Sequence, residues 1–152
     1  MQTRRVTLQQ GAVAAGLLAT TALLPQAASA AWNKSAFEAK NVADAVKAFG
    51  AGALTESKDV TLTGPDIAEN GAVVPLVAAT TLPGVKHLLI LVEKNPSALV
   101  AKFDLNESVE PSFSTRAKMG QSSDVYAVAI TADGKALFSK KEIKVTLGGC
   151  GG

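Results

Sequence analysis

One cysteine, Cys150, stands between two glycine pairs in the stretch Gly148-Gly149-Cys150-Gly151-Gly152. A thiol can serve as a nucleophile, a metal ligand, half of a disulfide or a point of covalent attachment, and its neighbours decide among these. Nucleophilic catalysis needs a base and an orienting group beside the sulfur. Glycines lack a Cβ and preorganise nothing. The nearest cations, Lys141 and Lys144, lie in the preceding strand. An exposed thiol with a pKa of about 8.5 is only a few per cent thiolate near neutral pH. The pattern predicts a covalent handle offered to other proteins. From Leu147 the sulfur of Cys150 reaches at most about 10 Å. Side chains at 149 or 151 would widen the arm, so glycines suit entry into a narrow cleft.

Other chemistry finds no residues to carry it. The sequence has one histidine, His87, in an apolar strand, and one cysteine. No Cys/His spacing fits a zinc or iron site, and no cofactor is called for. His87 reads as structural. The acids, among them Glu69, Glu93, Asp104, Glu107 and Glu110, are scattered through turns and strand ends, with no pair patterned for acid–base work.

The compartment is read from the other end of the chain. Arg4 and Arg5 precede an alanine- and leucine-rich run, and Ala28-Ser29-Ala30 has the A-x-A form of a cleavage site. This predicts an export signal over residues 1–30, too short and alanine-rich for a membrane span. Arg4-Arg5-Val6-Thr7-Leu8 is similar to a twin-arginine signal, with Thr7 departing from the Phe or Leu usual there; an ordinary secretion signal is the alternative. Removing Arg4 and Arg5 takes the 15 basic side chains to 13, against 13 acidic ones. That balance predicts neither nucleic acid nor an anionic membrane as partner. An odd cysteine in an exported protein implies an intermolecular link or a reactive thiol.

The elements that must position the thiol come next. Ser35 and Glu38 form an S-x-x-E capping box, and Phe37, Val42, Ala45, Val46 and Phe49 keep helical spacing, which predicts one helix over Trp32 to Phe49, ended by Gly50. From Lys58 the apolar period falls to two. Strands are expected around 60–63, 71–80 (with Pro75 marking an edge or bulge), 86–93, 99–105, 113–119, 124–131 and 135–147, the last two joined by an Asp133-Gly134 hairpin. About seven strands with turn signals every ten residues or so predict an immunoglobulin-like antiparallel β-sandwich over 31–147, with an N-terminal helix before it and residues 148–152 as a flexible arm. Two segments, Ala72 to Ala79 and Leu88 to Val92, lack a polar face. The helix, a partner subunit or both together are expected to cover them. A charge at Val74 or Leu76 is the corresponding probe of such an interface.

The terminal GGCGG, the leader, Ile67-Ala68-Glu69-Asn70-Gly71-Ala72-Val73-Val74-Pro75, Val92-Glu93-Lys94-Asn95-Pro96 and Ser114-Thr115-Arg116-Ala117-Lys118-Met119-Gly120-Gln121 together resemble the SoxY family, sulfur-carrier subunits of the periplasmic Sox system of thiosulfate oxidation. The resemblance implies a heterodimer with SoxZ and a cysteine S-thiosulfonate on Cys150, with Gly148, Gly149, Gly151 and Gly152 as its arm. It implies transient visits to the c-type cytochrome SoxXA, to SoxB, which hydrolyses off sulfate, and in some systems to a sulfur dehydrogenase. The resemblance also implies that the carrier itself is not catalytic. The apolar strand surface would then face SoxZ. Two other readings stay open: a thiocarboxylate carrier using the terminal Gly-Gly, which needs ATP, and an adaptor that links two copies through a Cys150 disulfide.

Overall fold

The computed structural model describes residues 32–146. The chain separates into residues 1–32 and 33–152, and the fold below is that of the second unit. The leader expected over 1–30 and the arm 148–152 lie outside the described residues.

Among the described residues two short helices come first, α1 (Lys34–Glu38) and α2 (Val42–Lys47), where one continuous helix over Trp32 to Phe49 is expected from the sequence. Two asparagines make the difference. Asn33, not Ser35, caps α1: its Oδ1 accepts from the Ala36 N–H at 3.2 Å. Asn41 then caps α2, accepting from the Asp44 N–H at 2.8 Å, while its own amide donates to Asp44 Oδ2 at 2.7 Å. A side-chain acceptor at the first turn satisfies donors that a helix leaves open, so Asn33 starts the first helix and Asn41 starts a second one. Between them Ala39 is extended (φ −62°, ψ 132°). Gly50 takes the left-handed conformation expected of it, at φ 73°.

Among the described residues nine strands follow: β1 (Leu54–Glu56), β2 (Val60–Thr63), β3 (Ile67–Ala68), β4 (Val74–Thr80), β5 (Val85–Val92), β6 (Leu99–Asp104), β7 (Ser112–Ala117), β8 (Ser123–Thr131) and β9 (Ala136–Val145). One sheet runs β1-β9-β8-β5-β6, with β3 also on β9; the other is β2-β4-β7. This is the expected immunoglobulin-like sandwich. β1 and β3 exceed the expected strands, and both pair with β9 in parallel. Asp133-Gly134 turns β8 into β9, with Gly134 at φ 81°. Pro75 pairs with Arg116 of β7, while β2 reaches only Val77 to Thr80 of β4. The proline therefore stands where one side of its strand is unpaired, so its missing N–H breaks no ladder.

Strand alternation feeds two cores. Between the sheets lie Val74, Leu76 and Ala78 of β4, Leu88, Ile90 and Val92 of β5, Val125, Ala127 and Ala129 of β8, and Ile143 of β9. The opposite face of the larger sheet sends Leu89, Leu91, Val128 and Ile130 against Ala36, Val42, Ala45 and Val46 of the helices. The helices thus cover the second apolar face of β5. The expectation that Val74 and Leu76 face a partner is corrected: both are fully buried between the sheets. Phe103 and Phe113 stack at 4.2 Å, packed against the inter-sheet core where the edge strands β6 and β7 lie.

Candidate functional site

The expected attachment residue Cys150 and its glycines Gly148, Gly149, Gly151 and Gly152 lie outside the described residues. The described part of the site is the root from which that stretch departs. β9 alternates strictly enough to bury Ile143 and expose Lys144, and it is bonded on both sides to its end. On one side it pairs with β8 up to Ile143. Beyond the ladder, the Ser122 hydroxyl accepts from the Val145 N–H at 2.9 Å. On the other side β3 matches Ile67 to Lys144 and Ala68 to Val145. The Lys144 N–H donates to the Asp66 carbonyl at 3.0 Å and the Thr146 N–H to the Ala68 carbonyl at 3.1 Å. The Thr146 hydroxyl donates to the Glu69 carbonyl at 3.0 Å. The backbone is therefore pinned from both flanks up to Thr146.

One turn earlier, the Lys141 ammonium donates to the Gly64 carbonyl at 2.6 Å and pairs with Asp66 at 2.8 Å. The bond from Lys141 to the Asp66 carboxylate, with the charge of the ammonium, holds that carboxyl below its ordinary value. Gly64 permits the approach: a Cβ there would sit 3.0 Å from Leu76 Cδ2 and 3.1 Å from Ile143 Cδ1. Lys141, one of the two cations nearest Cys150 in sequence, is thus engaged in holding the 64–66 turn against β9.

The same stretch carries exposed apolar groups. Ile67 of β3 is 57% exposed and Val73, just before β4, is 53% exposed. Between them the chain is fixed by the Asn70 side chain, which accepts from the Ala72 N–H at 2.8 Å, and by the Met119 N–H, which donates to the Gly71 carbonyl at 2.7 Å. Sequence reasoning had not assigned Ile67, Val73, Ser122 or Thr146 to the site. The one signal was two large apolar residues flanking the polar Glu69-Asn70.

His87 has a structural setting. Its Nδ1 lies 2.6 Å from Asp104 Oδ1, and the Lys102 ammonium donates to both oxygens of the same carboxylate at 2.6 and 2.8 Å. Phe49 packs against both, 5.7 Å from the imidazole and 5.7 Å from the ammonium. The Lys102 bond leads in holding the Asp104 carboxyl down, with partial burial opposing it and His87 assisting. The cluster ties the segment after α2 to β5 and β6. No group of three or more His, Cys, Asp or Glu side chains positioned for a metal occurs among the described residues.

Comparison with known proteins decides the family. The family described as sulfur oxidation protein SoxY matches residues 45–150, a span that runs through both cores and reaches Cys150. The chain belongs to the SoxY family. Among solved structures, the sulfur carrier protein SoxY from Chlorobium limicola f. thiosulfatophilum is 34% identical, covering 67% of this chain and 92% of its own, at a TM-score of 0.60. A variant of the superoxide reductase neelaredoxin from Ignicoccus hospitalis is 15% identical over 57% of this chain and 78% of its own, at a TM-score of 0.50. That likeness concerns the sandwich fold alone. A comparison with the curated proteins found no match. Within the SoxY family, the pinned root at Thr146 is the feature of this chain that bears on Cys150.

Proposed function

We propose that this SoxY chain is a covalent sulfur carrier that holds its cargo on Cys150 during thiosulfate oxidation. The observation that carries the reading is the family match extending to Cys150, the sole cysteine of the sequence. The Cys150 thiol and thiosulfate join through a new S–S bond. The thiol proton is released, and two electrons pass to an oxidant, the c-type cytochrome SoxXA. The product is a cysteine S-thiosulfonate. Water then cleaves its terminal S–S bond on SoxB, releasing sulfate and leaving a persulfide on Cys150. A sulfur dehydrogenase is the further partner where one is present.

The chain supplies no acid or base to these steps; it is the substrate on which partner enzymes act. Gly148, Gly149, Gly151 and Gly152 form the arm that lets the sulfur enter successive clefts. The chain works in the periplasm after twin-arginine export over residues 1–30, as a heterodimer with SoxZ. The twin-arginine-like leader supports the compartment, and the lack of ATP there disfavours a thiocarboxylate on Gly152.

Intact mass of the protein after incubation with thiosulfate and SoxXA tests the reading. A single thiosulfonate adduct is expected on the wild-type chain and none on Cys150→Ser. If only removal of Gly152 abolishes loading, attachment through the cysteine is wrong. If the wild-type protein yields disulfide-linked dimers and no adduct, the protein is an adaptor.

A further inference from the structure

We propose that Asn70 is a site of covalent self-modification: its side chain closes a succinimide with the Gly71 backbone nitrogen, and the ring opens to aspartate or isoaspartate. This goes beyond the carrier reading and stands without it. The Gly71 nitrogen bonds to Asn70 Cγ, and the Cγ–Nδ2 bond breaks. The amide leaves as ammonia, taking up the proton of the Gly71 N–H. Water then adds to one of the two ring carbonyls. Opening at the side-chain carbonyl gives aspartate. Opening at the main-chain carbonyl gives isoaspartate, in which the backbone runs through the side chain of residue 70. Nothing is oxidised or reduced, and water is the only co-reactant.

The sequence supplies the pair. Of the five asparagines, Asn33, Asn41, Asn70, Asn95 and Asn106, only Asn70 precedes a glycine. Asparagine is a thermally labile side chain, and a following residue without a Cβ leaves the attacking nitrogen unshielded. The fold supplies the geometry. Asn70 is exposed in the connection between β3 and β4, so ammonia can leave and water enter. Its Oδ1 accepts from the Ala72 N–H at 2.8 Å, which folds the side chain over the Gly71 peptide. The same contact puts a backbone donor on the oxygen that takes negative charge when the nitrogen attacks, as in an oxyanion hole. Gly71 is buried, and its carbonyl accepts from the Met119 N–H at 2.7 Å, which fixes the peptide on which the ring closes. Among the described residues no acceptor takes the Gly71 N–H. Asn106 is the internal control. Its Oδ1 accepts from the Ser108 N–H at 2.9 Å in the same manner, but Glu107 follows it. Asn95 precedes Pro96, whose nitrogen has no hydrogen to lose. The modified residue would lie between two anchors of the fold. The Glu69 carbonyl accepts from the Thr146 hydroxyl at 3.0 Å, and the Gly71 carbonyl from Met119. Isoaspartate adds one methylene to the main chain between them, so the two contacts no longer fit together.

The test is peptide mapping by mass spectrometry of the folded protein, held for days in warm, mildly alkaline buffer. Enzymatic methylation marks the isoaspartate. Asn70 is expected to convert at least about tenfold faster than Asn106. The Asn70→Gln variant, whose ring would need one more atom, should show no conversion at position 70 over the same period. In the isoaspartyl form, separated by ion exchange, the Met119 amide should exchange hydrogen at least about tenfold faster than in the unmodified protein. If the folded protein keeps Asn70 intact while urea-unfolded protein converts it, the fold protects the pair and the proposal is wrong. Conversion of Asn106 as fast as Asn70 overturns it as well, since the glycine then contributes nothing. Unchanged exchange at Met119 overturns the coupling of the modification to the fold.

Discussion

Two segments that look alike in sequence, Leu88 to Val92 and Val74 to Ala79, have different fates in the fold. In β5 every residue from Leu88 to Val92 is buried, because one face meets the other sheet and the other meets the helices. In β4 only alternate residues are buried: Val74, Leu76 and Ala78 face inward, while Pro75 is exposed and Val77 and Ala79 are partly exposed. A run of apolar residues thus reports that both faces avoid polarity, not that both are covered. The larger sheet has a lid of its own; the outer face of β2-β4-β7 has none among the described residues.

The largest effect that separates the two faces of β4 comes from charge. Leu76→Asp places a carboxylate in the inter-sheet core with no partner, and is expected to cost more than about 4 kcal/mol and leave the domain unfolded. Val77→Asp, one residue away on the outer face, should change stability by about 0.5 kcal/mol or less. Urea unfolding followed by circular dichroism reads both, and similar losses at 76 and 77 would mean that the outer face is packed after all. A smaller effect probes the lid over β5. Leu89→Ala removes a side chain buried beneath the helices and should cost about 2–5 kcal/mol, in the same range as Leu88→Ala on the inter-sheet side. Thermal melts of the two variants would break the comparison if Leu89→Ala proved nearly neutral.

The smallest effect lies outside both cores, in the hairpin between β8 and β9. The Lys135 ammonium and the Thr131 hydroxyl bond the Asp133 carboxylate and hold its pKa down to about 2. A carboxyl depressed in the folded state stabilises it above the unfolded value of about 3.9, and that contribution disappears as pH falls toward about 2. The stability difference between wild type and Asp133→Asn should therefore be present at pH 6 and shrink through pH 4 to 2. Because the group is exposed, the difference is small and should weaken further in salt. A gap that grows on acidification would reverse the assignment.

Much of this was legible because strand periodicity is local. Val60 to Thr63, Ser123 to Thr131, the Asp133-Gly134 turn, Gly50 and Pro75 all announce themselves within a few residues. The break between α1 and α2 did not, because Phe37, Val42, Ala45, Val46 and Phe49 keep helical spacing across it. What separates the two helices is Asn41, whose side chain takes the Asp44 N–H and starts α2 afresh, a preference of a single residue that spacing hides. β1 and β3 are too short to show a period, and exist because β9 is long enough to offer them an edge. The site divides in the same way. Cys150 stands out by its neighbours in sequence. The root does not, since Ser122 meets Val145 across 23 positions and Thr146 meets Glu69 across 77.

The pairing of β9 has a mechanical consequence. β8 lies along one side of it, and β1 and then β3 along the other. A pull on β9 along its own axis acts across its hydrogen bonds, so the bonds on both flanks are loaded together in shear instead of being peeled one at a time. Tension applied along the strand is thereby spread over the larger sheet, and the end of β9 holds as an anchor.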